Sequence, residues 1–563
     1  MPGTVLLASG GSLDCARYHI LAIKPWLSFS GRNNTFKITM DDQTVNVQKH
    51  PFEILRNLLD IYTINNQIPI HPDMEIPVQA GLFGYFSYDL KDCLEELPRT
   101  SVDDLLLPHI CLFAPSIIIV HDRIAANTTL NIPVRETTHG HDNLKKNLLF
   151  IQKSLSKKPN VSTPYKGSGD GFCSNFTKPK YLNAVEQIKE YIRSGHIYQA
   201  NLSQRFCMDF SGDSFNLFKT LFQNNPAPFF SYINAGDHQI ISTSPERFLH
   251  RQGERVETRP IKGTRPRGKT HSEDEALGRE LQQSKKDDAE LSMIVDLLRN
   301  DFGKVCKAGT VRVSEHKMLE AYKNVFHLVS IVEGVLADEN DSSDLIRACF
   351  PGGSITGCPK IRSMEIIDEL EPSRRHIYTG AIGYISFHNT MDLSIAIRTA
   401  TVYNEKIIFS VGGGIVFDSD PNDEFDETLH KGQTLMKAFT GKDHKTNKKN
   451  YVWINGSIET LDQALIPVSD LGFLYGYGFF ETIRVNKGIG KHLDAHIERF
   501  NKTWKTLFLT DPPDISWNDV ILQILAKNGL NDKIAAIKII ATSGDKEQSP
   551  YNHSLIVMTK PYE

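Results

Sequence analysis

Pro260-Ile261-Lys262-Gly263-Thr264-Arg265 sets a lysine between an apolar residue and a glycine, in a turn whose basic character continues to Arg267. An amine so placed can act as a nucleophile if it is neutral for part of its lifetime, although the ordinary lysine pKa is about 10.4. Partial burial would lower it, and Arg265 and Arg267 would act in the same direction. Taken alone, a lysine in a basic loop is a solvated side chain. Its surroundings decide both fold and chemistry.

Upstream, to about Val120, short alternating runs such as Thr35–Met40 and Gly81–Tyr88 read as strands, with a helix from Pro51 to Tyr62. Ile110 to Val120, with Pro115 inside it, reads as a buried strand pair and is far too short to span a membrane. A polar stretch from Ser154 to Lys178 reads as a loop. Tyr181, Val185, Ile188 and Ile192 mark a helix that stops at Ser194-Gly195, and Leu291, Ile294, Val295 and Leu298 mark another. A third follows Pro359, from Ile361 to Leu370. Strands are expected at Ala381–Ser386, Ser394–Val402 and Lys406–Val411. Strands and long helices without a regular βαβ alternation give an α+β class, built on large, mostly antiparallel sheets.

The domain reading follows from composition. Residues 1–440 form one domain, with an N-terminal part at 1–150 and the chemistry-bearing segments at 175–440. Residues 441–450 hold four lysines and nothing for a core, and read as a linker. Residues 451–563 form a small α+β module.

The 563 residues carry 63 basic and 67 acidic side chains, a formal charge of -4 that leaves no nucleic-acid footprint. Eight scattered cysteines without a C-x-x-C pair, and no signal-like N-terminus, give the expectation of a reducing cytoplasm, with no membrane partner.

Most acidic side chains are solvated, but two groups sit in apolar or glycine-rich surroundings. Asp287 and Glu290 lie one helical turn apart, as do Glu424 and Glu427, with Lys431 one turn beyond. A shared cation is one way to make such pairs tolerable, and oxygen-only ligands favour Mg2+ over zinc; an exposed acidic helix face is the other reading. Phe350-Pro351-Gly352-Gly353-Ser354-Ile355-Thr356-Gly357-Cys358-Pro359-Lys360 looks like a phosphate loop, but Cys358-Pro359 stands where the Walker pattern needs Lys-Ser/Thr. Ser354 or Thr356 is instead expected to cap the next helix, with glycine backbone free to approach an anion. Gly412-Gly413-Gly414 offers a second such approach, or a tight turn.

Five ordered motifs together resemble the chorismate-utilising enzymes: Ser244-Pro245-Glu246-Arg247-Phe248, Pro260–Thr264, Glu320–Ser330 with His327, Pro351–Lys360 and Asp418–Lys431. The resemblance spans nearly all of residues 1 to about 439. It implies chorismate as substrate, with Glu290 and Glu427 as magnesium ligands and Asp287 and Glu424 in support. It also implies that Tyr378 and Arg398 bind the enolpyruvyl carboxylate, with Thr264, Gly412, Gly414 and Lys431 lining the substrate. A rigid guanidinium fork suits a carboxylate. His327 would lie beside the leaving C4 hydroxyl, and Glu246 would protonate it. Leu291 stands where the family commonly has a polar residue after the ligand glutamate.

Lys262 separates the subfamilies. Anthranilate synthases characteristically carry alanine there, and aminodeoxychorismate synthases carry the lysine, which attacks C2 before ammonia adds at C4. The resemblance therefore implies formation of 4-amino-4-deoxychorismate, in 4-aminobenzoate and folate biosynthesis. Anthranilate synthase component I is the alternative, and a non-catalytic scaffold for an amidotransferase is the alternative of another class. No cysteine lies in the G-x-C-x-G-x-Q elbow of glutamine amidotransferases. Free ammonium is thus the expected direct co-substrate, and a glutamine amidotransferase the expected partner. Ser28-Phe29-Ser30-Gly31-Arg32 offers no Leu-Leu-Glu-Ser-like motif for tryptophan feedback.

Gly472–Val485 and His492–Phe500 resemble aminodeoxychorismate lyase and the other fold-type IV pyridoxal-phosphate enzymes, with Arg499 at the position of their cofactor-phosphate arginine. The likeness covers only the small domain of such a lyase and stops short of the Schiff-base lysine. Arg499 is therefore expected to be vestigial, PLP is not expected to bind, and the module reads as a remnant or docking domain.

Overall fold

The computed structural model describes residues 1–64, 76–135, 140–157, 163–167, 171–322, 324–439, 451–461, 464–545 and 552–562. It divides into two compact units, Met1–Thr440 and Gly441–Glu563. The lysine-rich 441–450 segment lies outside the described residues.

The first unit is built on a 22-stranded sheet whose ladders are antiparallel. The long strand Tyr18–Arg32 hands it from one run to another. On one side it pairs with Ile110–Asp122, which leads through Gly81–Phe86, Ala381–Ser386, Thr390–Ile395, Arg247–Gln252 and Arg255–Arg259 to Val325–Val335. That last strand also carries Ile261–Pro266. On the other side, Thr4–Ala8 leads through Phe229–Asn234, His238–Ser244, Thr399–Tyr403 and Lys406–Ile415 to Gln199–Ser211. The expected α+β architecture with large antiparallel sheets is the one found.

Several local expectations change. Ile110–Asp122 is one strand rather than two, because Pro115 lies opposite Pro25 at a register shift, where no ladder hydrogen bond is lost to either imide. The span expected as a strand from Ser394 to Val402 is broken between Ile395 and Thr399. Arg398 there takes φ +50, a left-handed conformation that costs a non-glycine residue about 1 kcal/mol or more. Gly412–Gly414 lie inside Lys406–Ile415, in register with Ser203, Leu202 and Asn201, rather than in a turn. A Cβ at Gly412 would meet the Leu202 carbonyl at 2.5 Å, and one at Gly414 the Gln199 amide at 2.1 Å. Close packing, more than φ freedom, accounts for those two glycines.

Helices hold the catalytic candidates against this sheet. Lys285–Gly303 is capped by Ser284 and buries Leu291, Ile294, Val295 and Leu298, which turns Asp287 and Glu290 to another face. Leu291 joins Phe248, Phe326 and Leu328 in one apolar cluster, so the core beneath the site is continuous from helix to strand. Leu291 therefore fills core where a polar partner of the glutamate was noted as missing. Pro421–Lys437 is capped by Asp420, whose carboxylate accepts from the Asn422 and Asp423 amides, and buries Glu424, Thr428, Gly432 and Leu435 on its inner face.

The second unit is a six-stranded antiparallel sheet in the order Ser457–Thr460, Tyr451–Ile454, Asn552–Pro561, Ile534–Asp545, Gly478–Asn486, Ile489–Gly490. Helices Leu493–Phe508 and Trp517–Lys527 cover its apolar face through Phe500, Trp504, Ile521 and Ile524. Among the described residues no helix is long and apolar enough to cross a membrane.

Candidate active site

The lysine of the opening motif lies on Ile261–Pro266, beside the strand of the histidine. Lys262 pairs with Leu328 and Thr264 with His327, and the register shifts between them at Gly263, which takes φ +72. Glycine is the residue that adopts this bulge without strain. Lys262 is largely buried, and its Nζ lies 3.9 Å from Glu290 Oε2. Burial pushes the amine below the usual lysine range, against the pull of Glu290.

Arg265 and Arg267 do not take part in this. Arg265 is drawn to Glu280 at 2.8 Å and Asp287 at 3.5 Å, and Arg267 pairs with Asp274. Their charge is neutralised by those acids, so the expectation that they depress Lys262 is not met.

Glu246 sits in the turn between His238–Ser244 and Arg247–Gln252, buried to 5 % exposure. Its amide donates to Ser244 Oγ at 3.2 Å, its carbonyl accepts from the Ile395 amide at 3.1 Å, and its Oε1 accepts from Ser354 Oγ at 2.6 Å. Burial raises its pKa to about 7, against the opposing effects of the Ser354 hydroxyl and the Lys262 ammonium. Neither Ser354 nor Thr356 caps the next helix. Pro359 is its N-cap residue, without a side-chain cap, and Thr356 bonds back to the Gly352 carbonyl. The contact from Ser354 to Glu246 had no signal in the sequence, because the two residues lie on separate motifs.

His327 is buried, with Nδ1 3.0 Å from Thr264 Oγ1 and 3.3 Å from the Gly263 carbonyl. Burial, with Arg398 adding to it, pushes its pKa to about 3, so the ring is neutral at working pH. Its buried Nε2 has no hydrogen-bond partner. A buried ring nitrogen without a partner is uncommon in folded proteins and points to a functional candidate. Arg398 is likewise without an ion-pair partner among the described residues, and burial lowers its pKa. A half-buried guanidinium held in a left-handed backbone conformation has the donor geometry that matches a carboxylate. Tyr378 follows two residues after His376, whose φ is +52, and burial raises its phenol. Thr264 is committed to His327.

The acidic pairs separate into two settings. Glu424 accepts from Ser419 Oγ at 2.7 Å, and burial, with its neighbour Glu427, raises its pKa against that bond. Burial alone would raise Glu427 as well, but Lys431, at 2.7 Å, outweighs it and holds the carboxyl below the usual range. Lys431 also donates to the Gly412 carbonyl at 2.9 Å. A Cβ at Gly413 would lie 3.1 Å from Glu424 Oε2 and 3.8 Å from Glu427 Oε1, so both carboxylates face the bare backbone there. Among the described residues no three His, Cys, Asp or Glu side chains are gathered closely enough to hold an ion. Lys262 and Lys431 stand beside Glu290 and Glu427. The donor set still suits magnesium in kind: every candidate ligand is a hard carboxylate oxygen, and the raised Glu424 beside Glu427 is a repulsion that a cation would relieve.

In the second unit Arg499 is not free for a phosphate. Its Nε and Nη2 donate to the two oxygens of Glu481 at 2.6 Å each, and His496 Nδ1 lies 3.0 Å from the same carboxylate.

The chain is a member of the chorismate binding enzyme family, whose model matches residues 16–437. An amino-transferase class IV model matches residues 478–563. Over 440 residues the chain is 38 % identical to aminodeoxychorismate synthase component 1 of Escherichia coli (strain K12), covering 78 % of this chain and 93 % of that one. Over 442 residues it is 37 % identical to anthranilate synthase component 1 of Cereibacter sphaeroides, covering 76 % and 87 %. The crystal structure of anthranilate synthase component I from Streptococcus pneumoniae TIGR4 superposes with a TM-score of 0.67 at 29 % identity, over 76 % of this chain and 94 % of that one.

Proposed function

We propose that the first unit aminates chorismate at C4, giving 4-amino-4-deoxychorismate by way of a covalent bond to Lys262. The observation that carries this reading is a largely buried amine of lowered pKa within electrostatic reach of a buried carboxyl of raised pKa. Two titratable groups whose surroundings each favour the neutral form suit a nucleophile and an acid. The Lys262 amine forms a bond to C2, the ring double bond shifts, and the C4 hydroxyl leaves as water with the proton of Glu246. Ammonia then bonds to C4, the double bond shifts back, and the lysine amine departs from C2. The lysine nitrogen keeps both its hydrogens while bonded to C2 and so leaves as a neutral amine, and the ammonium formed at C4 returns one proton to Glu246, which restores the starting acid.

Arg398 and Tyr378 would hold the enolpyruvyl carboxylate, and His327 Nε2 would face the ring beside C4. Glu290 and Glu427, with Glu424 and Asp287 in support, would hold a magnesium ion. Such an ion supplies Lewis-acid stabilisation of charge on the ring carboxylate. Ammonia would come from a glutamine amidotransferase partner.

A second reading, anthranilate formation, is favoured by the comparisons, in which anthranilate synthases recur in both sequence and structure. Products formed from chorismate and ammonium discriminate the two. Aminodeoxychorismate keeps its enolpyruvyl group, whereas anthranilate appears with stoichiometric pyruvate; pyruvate release by the protein would overturn the first reading.

A further inference from the structure

We infer that Ser354 is the positioning residue for Glu246, its hydroxyl holding Oε1 as an acceptor so that Oε2 is the oxygen that carries and delivers the proton. The inference rests on the proposed role of Glu246 as proton donor. Ser354 Oγ donates to Oε1 at 2.6 Å, and the Glu246 backbone is fixed from both sides by Ser244 and Ile395. The carbonyl oxygen of a carboxylic acid accepts better than its hydroxyl oxygen, so a donor fixed on Oε1 favours the tautomer with hydrogen on Oε2.

Ser354 is itself immobilised. It sits in the one-turn 3-10 helix Gly353–Ile355, and its carbonyl accepts from Asn201 Nδ2 at 3.0 Å. The next carbonyl, of Ile355, accepts from Arg375 at 2.9 Å, and Arg375 is locked in turn by Glu371 at 2.7 Å. Thr356 Oγ1 ties back to the Gly352 carbonyl at 3.0 Å. A serine whose turn is held at so many backbone points has little freedom to move its hydroxyl elsewhere, and the Ile261 backbone amide is a further donor acting on the same carboxyl. Preorganisation of this kind moves the rate of the protonated step rather than substrate binding.

The test compares Ser354→Ala, Ser354→Thr and Glu246→Gln in the full chain, with chorismate and ammonium. Ser354→Ala is expected to lower kcat by about tenfold to a hundredfold, the range for losing a hydrogen bond to a charged or acidic group, with the chorismate KM changed less than about twofold. Ser354→Thr, which keeps the hydroxyl, is expected to restore kcat to within about threefold. If Ser354→Ala fails to fold, Ser354→Cys, nearly isosteric and a weak donor, is expected to give the same loss in kcat at unchanged KM. A wild-type kcat in a folded alanine or cysteine variant, or a KM effect alone, or no recovery with threonine, overturns the inference. If those results accompany a Glu246→Gln protein that has lost its rate, the role of Glu246 stands and only that of Ser354 falls. A Glu246→Gln protein with wild-type kcat overturns both.

Discussion

Lys262 Nζ lies 3.9 Å from Oε2 of Glu290, a long ion pair beyond hydrogen-bond distance. The amine is therefore steadied by a charge without being bound to it. Burial dominates over that attraction, and the lysine is poised to lose its proton.

Replacement of Lys262 by alanine should abolish the covalent bond to substrate and lower ammonium-driven turnover by roughly a thousandfold or more, as loss of a nucleophile does elsewhere. Intact mass after addition of chorismate should show an adduct on the wild-type chain and none on the variant. Full turnover by Lys262→Ala would remove the covalent route.

Stability should report the burial of Glu246 without any substrate. Its folded pKa of about 7 exceeds the unfolded value of 4.5, so the folded state binds the extra proton. The wild type then loses stability as the pH rises from about 4.5 through about 7, by roughly 3 kcal/mol, and levels off above. Glu246→Gln should escape that loss, so its melting temperature relative to wild type should climb between pH 5 and pH 8.5. A difference that stays flat across that window would refute the burial cost.

Arg398 should act on binding. Arg398→Ala is expected to raise the chorismate KM by about tenfold to a hundredfold, the worth of charge-assisted hydrogen bonds to a carboxylate. Arg398→Lys should recover only part of it, since an ammonium cannot replace the bidentate fork. A KM unchanged in both variants would place the carboxylate elsewhere.

Magnesium should be required. Turnover should fall on chelation and return on titration with the ion, and Glu290→Gln or Glu427→Gln should shift the titration midpoint upward by about tenfold or more. Turnover indifferent to chelator would remove these ligands. Gly413→Ala should mimic the ligand variants, because the added methyl would stand 3.1 Å from Glu424 Oε2.

The sequence disclosed most where one residue acts through its own periodicity. Leu291, Ile294, Val295 and Leu298 specify both a helix and its buried face, and that face in turn sets where Glu290 points. Long-range pairing was hidden. Nothing local to Pro115 foretells Pro25 opposite it, and nothing in the glycine run at 412–414 foretells the Leu202 carbonyl and Gln199 amide that exclude side chains there. Side-chain commitment was hidden for the same reason. Arg265 and Arg267 look like free charge in a chain of letters, but Glu280, Asp287 and Asp274 claim them once the helices dock. Arg398 shows the opposite case, a charge left unclaimed, marked by a positive φ that no propensity would assign to arginine.

The bidentate grip of Glu481 on Arg499 sets the terms on which the second unit can meet an anion. An arginine engaged at two donors by its own neighbour meets an added anion in competition with that carboxylate. Neutralising Glu481 would release both of those donors at once.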